Sequence, residues 1–384
     1  MHAPNPSPVQ DERIAAVTLA SIALPLARPV SDAKVATGRQ KPLAEVAVLA
    51  ATVETATGMS GFGYSYCLRA GAPAQYAHAL ELSPLLLGET ADDIGRLWQK
   101  LSWAGASIGR GGLAAQAIAA FDVALWDLKA KRAGLSLSRL LGRHRDSVRC
   151  YNTSGGYLQA SLSELRDGVA RARERGIGGI KAKIGQPDAA ADLRRLAAVR
   201  EAVGDGFPLM ADVNQQWDRP TALRLGRALE PFGLVFLEEP LAGDDVEGHA
   251  LLASRLSTPI ATGEMLSSVA EHFALLRAGA AHYLQPDAPR VGGITPFLRV
   301  MALADQFGVE IAPHFVMEMH LPLLAACPRE PWIEHFEWFE PLFEERFPIR
   351  DGRIGVPDLP GLGLTLSERA AGWTKRRDVV GRRP

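Results

Sequence analysis

The chain is short of the residues that mark several large protein classes. It has three cysteines, Cys67, Cys150 and Cys327, far apart and with no CxxC pair. That excludes a disulfide framework and a zinc cluster, and suits a reducing, cytoplasmic setting. Neither sign of charge is in excess: 42 Lys+Arg stand against 43 Asp+Glu, a net charge of −1. Such a balance leaves no footprint for nucleic acid or an anionic membrane. Long apolar runs are missing too. The best, Ile14 to Ala27, is broken by Thr18, Ser21 and Pro25, and is too short for a span of about 20 residues. Only Arg13 precedes it as a cation, beside Asp11 and Glu12, which is unlike a secretory leader. Lysine is the scarcest charged residue, with eight among the 42 basic positions, so each one stands out.

What is present is a full core. With 384 residues and 47% hydrophobic content, two domains are expected. Residues 1–10, rich in Pro and polar side chains, read as a disordered tail. Residues 11–145 read as an α+β domain. IAAVTLASIAL, AEVAVLAATVETATG and SGFGYSY are β-rich runs, with Gly58 and Gly61 punctuating the turn between the last two. A polar loop runs from Pro29 to Lys41. AAQAIAAFDVALWDLKAKRAG is helical, with Ile118, Phe121, Leu125 and Leu128 on one face and Gly134 as the stop.

From 146 to 340 the rhythm changes. Eight short apolar strands each end in polar residues: YNTSGG (151–156), IKAKIG (180–185), LMADVNQQ (209–216), VFLEEP (235–240), IATGEM (260–265), YLQPDA (283–288), EIAPHF (310–315) and WIEHFE (332–337). Lys183, Asp212, Glu238 and Glu264 follow one another at 29, 26 and 26 residues. A repeat near 25 residues, strand then helix, predicts a (β/α)8-type barrel, an α/β fold capped by the first domain. The last unit is short and its helix doubtful. Residues 341–384 are expected to return to the capping domain.

The strand ends converge on one mouth of such a barrel. They deliver Lys181, Lys183, Asp212, Asn214, Glu238, Glu264, Asp287, His314 and Glu334. One strand-end acid alone is ordinarily solvated or a helix cap. Asp212, Glu238 and Glu264, from three successive strands, repel one another unless a cation sits between them, and hard oxygen donors suit Mg2+. Period-2 alternation turns Glu239 away from them. KAK occurs twice, but Lys129 and Lys131 lie on a helix, where i and i+2 diverge. Lys181 and Lys183 lie on a strand and point together, so like charge should lower the pKa of one and make a general base. Asp287 and His314, from adjacent strands, form an acid–base dyad. Lys183 and His314, in units two and seven, address opposite faces of one carbon. Glu334, if protonated, donates to a developing oxyanion. His320 and His335 stay undecided, and the other six histidines read as surface or packing. A metal, a Lys base, a His–Asp dyad and an acid fit abstraction of a proton α to a carboxylate, with the metal stabilising the ene-diolate.

At these residues the sequence resembles the enolase superfamily, mandelate racemase subgroup, over about residues 12–375. The subgroup's Lys-x-Lys falls on Lys181/Lys183, its ligands on Asp212, Glu238 and Glu264, its dyad on Asp287/His314 and its final acid on Glu334. More narrowly, SDAKVATGRQKP (31–42), WAGASIGRGG (103–112), RDSVRCYNTSGGYL (145–158), NQQWDRPTA (214–222), QPDAPRVGGITPFL (285–298) and PREPWIEHFEW (328–338) resemble dehydratases of galactarate and L-talarate. The resemblance implies a Mg2+-dependent hydro-lyase making a 5-keto-4-deoxy aldarate, with epimerisation as a side reaction, and a homo-oligomer, often an octamer. The 31–41 loop implies a lid. It has no aromatic residue, and it offers Lys34 and Arg39 to an acid sugar, with Asn214 as a further contact. A racemase, or a dehydratase of another sugar acid, uses the same groups. A non-catalytic scaffold would have lost a ligand or a base, and none is lost. A hydrolase barrel would show His-x-His near its first strand, and none occurs.

Overall fold

The computed structural model describes residues 12–153 and 156–381. The tail 1–10, Ser154 and Gly155 lie outside them. Three long strands open the chain: β1 (Ile14–Val30), β2 (Leu43–Thr55) and β3 (Ser60–Leu68). They pair antiparallel, and a strand from the far end of the chain, Thr374–Gly381, pairs antiparallel with β1. Helices α1 (Ala33–Ala36), α2 (Ala72–Leu82), α3 (Ile94–Ala104) and α4 (Leu113–Arg132) follow, α1 lying in the polar loop.

Strand β3 is two-faced. Gly61 and Gly63 sit against α4, where a Cβ would collide with the backbone of Ala124 and Ala120. Gly58, at φ +85°, makes the turn, so Gly61 does a different job from the one expected: it lets the alanine-rich helix close on the sheet. Phe62, Tyr64 and Tyr66 alternate onto the other face, where Tyr64 meets Phe339 and Phe343, and Tyr66 meets Phe315.

The eight expected barrel strands are present: β4 (Ser147–Asn152), β5 (Ile180–Lys183), β6 (Leu209–Asp212), β7 (Leu237–Glu238), β8 (Ile260–Thr262), β9 (Tyr283–Leu284), β10 (Glu310–Ile311) and β11 (Trp332–His335). Strands β4 to β10 are neighbours in chain order and parallel, and β11 pairs with β4. Their helices begin where the sequence supplies caps. Ser161 and Glu164 form a capping box, and Asp188, Asp218, Asp245 and Ser268 each accept a backbone N–H. Among the described residues β11 is followed by a short 3-10 turn, Glu340–Leu342, and not by a helix of that kind. Tyr151, Met210, Phe236, Ala261, Ala312 and Trp332 fill the interior. Ala182 and Val213 belong to the outer layer that packs the helices, which leaves Lys181 and Lys183 facing inward. No helix among the described residues is long and apolar enough to cross a membrane.

The capping domain docks along a seam beyond β9. Trp98 Nε1 donates to the Gly292 carbonyl at 2.8 Å, and Asp122 on α4 accepts from the Thr295 backbone N–H at 2.8 Å and its hydroxyl at 2.6 Å.

Candidate active site

A cavity opens between the two parts. The cap contributes Val30, Asp32, Lys34, Leu43, Leu68 and Arg69. The barrel contributes Lys183, Asn214, Glu264, Arg290 and His314, and an aromatic side of Tyr157, Phe315, Phe336 and Trp338. The lid is polar, but the cavity as a whole is not, because its aromatic rings come from the barrel.

Strand register sets the acids side by side: Lys183 is level with Asp212, and Asp212 with Glu238. The Lys181 ammonium lies 2.8 and 2.7 Å from the two oxygens of Glu238 and 2.5 Å from Glu334 Oε1. Lys183 donates to Asp212 Oδ2. Burial disfavours the ammonium of Lys183, yet Asp212, Glu238 and Glu334 together outweigh burial and Lys181 and hold it above the usual lysine value. The lowered lysine pKa expected from like charge is therefore not found, because each lysine has a closer carboxylate than its neighbour.

Glu334 also departs from expectation. Burial raises it, but Lys181, His314 and Lys183 more than offset that and hold it below the usual carboxylate range. Its Oε1 accepts from Thr153 at 2.7 Å and its Oε2 from the Phe315 N–H at 2.9 Å. It is an ionised anchor for Lys181, not a protonated donor.

Glu239 does not turn away. Strand β7 ends at Glu238, and Glu239 adopts φ +38°. It is fully buried, bonded by Gln215 Nε2 at 2.8 Å, and pushed upward by burial and by Glu264. Asn214 takes φ +51°, so that its N–H and Nδ2 both donate to Asp212, at 2.8 and 3.1 Å. Its buried Oδ1 has no partner.

Asp287 and His314 meet beyond β9 and β10, with Nδ1 2.8 Å from Oδ2. Burial raises Asp287, and His314 and Arg290 bring it below its usual value. His314 Nε2 lies 3.7 Å from Glu264 Oε2. Sequence reasoning missed Tyr66, Arg69 and Arg290. Tyr66 Oη is 2.5 Å from Asp287 Oδ2. Arg290 donates to the Glu264 carbonyl at 2.7 Å. Arg69, at φ +68°, lines the cavity beside Lys34, whereas Arg39 is exposed and outside the lining. The only sequence signal for Tyr66 was its place in the Phe62/Tyr64/Tyr66 alternation. His320 accepts the Ala288 N–H at 3.0 Å, and His335 contacts Asn152 at 2.9 Å; both are structural.

Six buried acids (Asp212, Glu238, Glu239, Glu264, Asp287 and Glu334) face three cations, Lys181, Lys183 and Arg290. Among the described residues no three acids close around one point as the side chains stand: Lys181 and Lys183 hold oxygens of Glu238 and Asp212, and Glu264 faces Arg290 and His314. The excess of acids over cations, the hard donors on adjacent strands and the unpartnered Asn214 Oδ1 nevertheless fit a divalent cation such as Mg2+ on Asp212, Glu238 and Glu264, and burial beside other acids, which pushes Glu238 upward, is relieved by such an ion.

Known proteins resemble this chain over most of its length. Residues 16–142 match the family described as mandelate racemase/muconate lactonizing enzyme, N-terminal domain, and residues 164–370 match enolase C-terminal domain-like. The L-talarate/galactarate dehydratase of Salmonella typhimurium is 58% identical over 97% of this chain and 94% of its own length. Its crystal structure with Mg and L-lyxarohydroxamate superposes at a TM-score of 0.97, covering 100% of this chain and 98% of that one. The L-talarate dehydratase of Polaromonas sp. JS666, complexed with Mg and L-glucarate, is 62% identical with a TM-score of 0.94, over 97% of this chain and 100% of that one.

Proposed function

The chain belongs to the mandelate racemase/muconate lactonizing enzyme family, and from that membership we propose that it dehydrates six-carbon aldaric acids, galactarate and L-talarate first. It is a hydro-lyase whose cofactor is Mg2+. The observation that carries the reading is the pairing, in one cavity, of Lys183 with a dyad-held His314, above adjacent acids from three successive strands.

The roles follow from placement. Asp212, Glu238 and Glu264 would hold the metal. When bound, Mg2+ supplies positive charge opposite the substrate carboxylate, where negative charge grows as the α-proton leaves. Lys183 and His314 each address one face of the α-carbon. One takes the α-proton, the C–H electron pair becomes the C=C bond, and the β C–O bond breaks. The hydroxyl leaves as water with a proton from His314 Nε2, which is the α-proton itself when His314 is the base and the proton of an entering imidazolium when Lys183 is the base, and the enol tautomerises to the 5-keto-4-deoxy aldarate. Lys183 acts as base only after it gives up the Asp212 contact that holds its proton. Asp287 orients His314, and Glu334 orients Lys181. Lys34 and Arg69 are the cavity cations on the cap side, suited to the far carboxylate of a diacid, and Asn214 reaches the hydroxyls.

With two bases available, partial epimerisation at the α-carbon accompanies elimination. We further assign a cytoplasmic location, supported by three buried, unpaired cysteines, and a homo-oligomer, an octamer by the family resemblance.

The test is proton NMR in D2O with Mg2+ and galactarate, on the wild type, Lys183→Ala and His314→Ala. A keto-deoxy product lost in both variants, and lost with EDTA and restored by Mg2+, is expected. Deuterium at the α-carbon without elimination would move the assignment to an epimerase. Silence across a panel of acid sugars would end it.

A further inference from the structure

We propose, resting on the dehydratase reading, that Tyr66 is a positioning residue lent by the capping sheet to the Asp287–His314 pair, so that the pair is fixed only while the cap is docked. Tyr66 is 1% exposed and does not line the cavity, so it acts through its neighbours. Its hydroxyl donates to Asp287 Oδ2 at 2.5 Å, the same oxygen that stands 2.8 Å from His314 Nδ1. The Asp287 Oδ1 takes the Arg290 backbone N–H at 3.0 Å. Both carboxylate oxygens are therefore pinned, one by its own chain and one by the cap.

The consequence reaches the imidazole. Asp287 is an acceptor, so His314 Nδ1 carries the proton and Nε2 is left for the cavity. Tyr66 Oη also lies 3.2 Å from Nδ1, and its ring stands edge-on to Phe315, the next residue in the chain, with centroids 4.9 Å apart. It thus braces the histidine from two directions. Burial keeps the phenol protonated, and therefore a donor. The seam formed by Trp98, Asp122 and Thr295 lies just past Asp287 and holds β3 in reach. A tyrosine serving only to fill space would have no need of the hydroxyl contact.

The test uses the full chain with Mg2+. Tyr66→Phe is expected to lower kcat for elimination about tenfold or more, as loss of an orienting partner does, with KM within about twofold. Exchange of the α-proton with D2O on the Lys183 side should continue at the wild-type rate. In the resting wild type, the hydroxyl proton should appear far downfield, persist in His314→Ala, which removes the imidazole proton on the same carboxylate, and vanish in Asp287→Ala. An unchanged kcat, or a joint loss of kcat, KM and thermal stability, would overturn the proposal. So would absence of the downfield proton, which decides the matter even if Tyr66→Phe fails to fold. If the wild type turns over no acid sugar, the dehydratase reading falls, while the proton measurement still judges the Tyr66 contact.

Discussion

At the scale of single residues, the cavity pairs a charged lid with a charged barrel mouth. Lys34 and Arg69 are its cap-side cations, and Asp32 accepts from Arg69 at 3.3 Å. Charge-assisted bonds to a carboxylate contribute about 1.5–3 kcal/mol each. Lys34→Met or Arg69→Met should therefore raise KM for galactarate about 10–100-fold with kcat within about twofold, as read from initial rates. A variant that lowers kcat alone would remove these residues from the binding of the far carboxylate. Arg39→Met, exposed and off the lining, should change neither constant. Much at this scale is legible in the sequence. Lys183, Asp212, Glu238, Glu264, Asp287 and His314 each close an apolar strand, and a charge set there must meet a partner, a metal or a substrate, because an apolar core cannot hold it bare. Alternation places Glu239 on the wrong face, because one positive φ reverses the side that it assigns. The charge states of Lys183 and Glu334 escape sequence reasoning for a related cause. They depend on which opposite charge is nearest, and that is a distance, not a spacing in sequence.

At the scale of elements, α4 carries the contact that joins cap to barrel. Burial pushes the carboxyl of Asp122 up to about 7, against the bonds from Thr295 that favour its charged form. The folded state thus holds this proton more tightly than the unfolded chain, whose aspartates titrate near about 3.9. The stabilisation is complete below about pH 4 and is lost as the pH rises through about 7. Urea denaturation at pH 5 and pH 8 should show the wild type losing more stability over that interval than Asp122→Asn, by about 2–4 kcal/mol. Equal losses would mean that the carboxyl is already ionised in the fold. The helix itself was legible from its period and its stop at Gly134. Its closeness to β3 was not, because Gly61 reads equally well as turn punctuation until the helix is seen lying on it. The eight barrel strands were legible even where they run to only two residues, as β7, β9 and β10 do. The repeat, and not strand length, carried that signal.

At the scale of the whole molecule, the barrel is threaded between the two ends of the cap. Strand β1 pairs with Leu43–Thr55 on one side and Thr374–Gly381 on the other. Truncation at residue 373 would bare one edge of β1, and such edges recruit other chains. The shortened protein should lose activity and aggregate in size-exclusion chromatography. A soluble, active truncation would show that the last strand is dispensable. This pairing also orders events in time. Strand β1 must wait for Thr374–Gly381 before that edge of its sheet is paired, and every barrel strand is synthesised in between. Translation halted before residue 374 therefore leaves a barrel beneath an unfinished roof, with every cavity-lining residue already made.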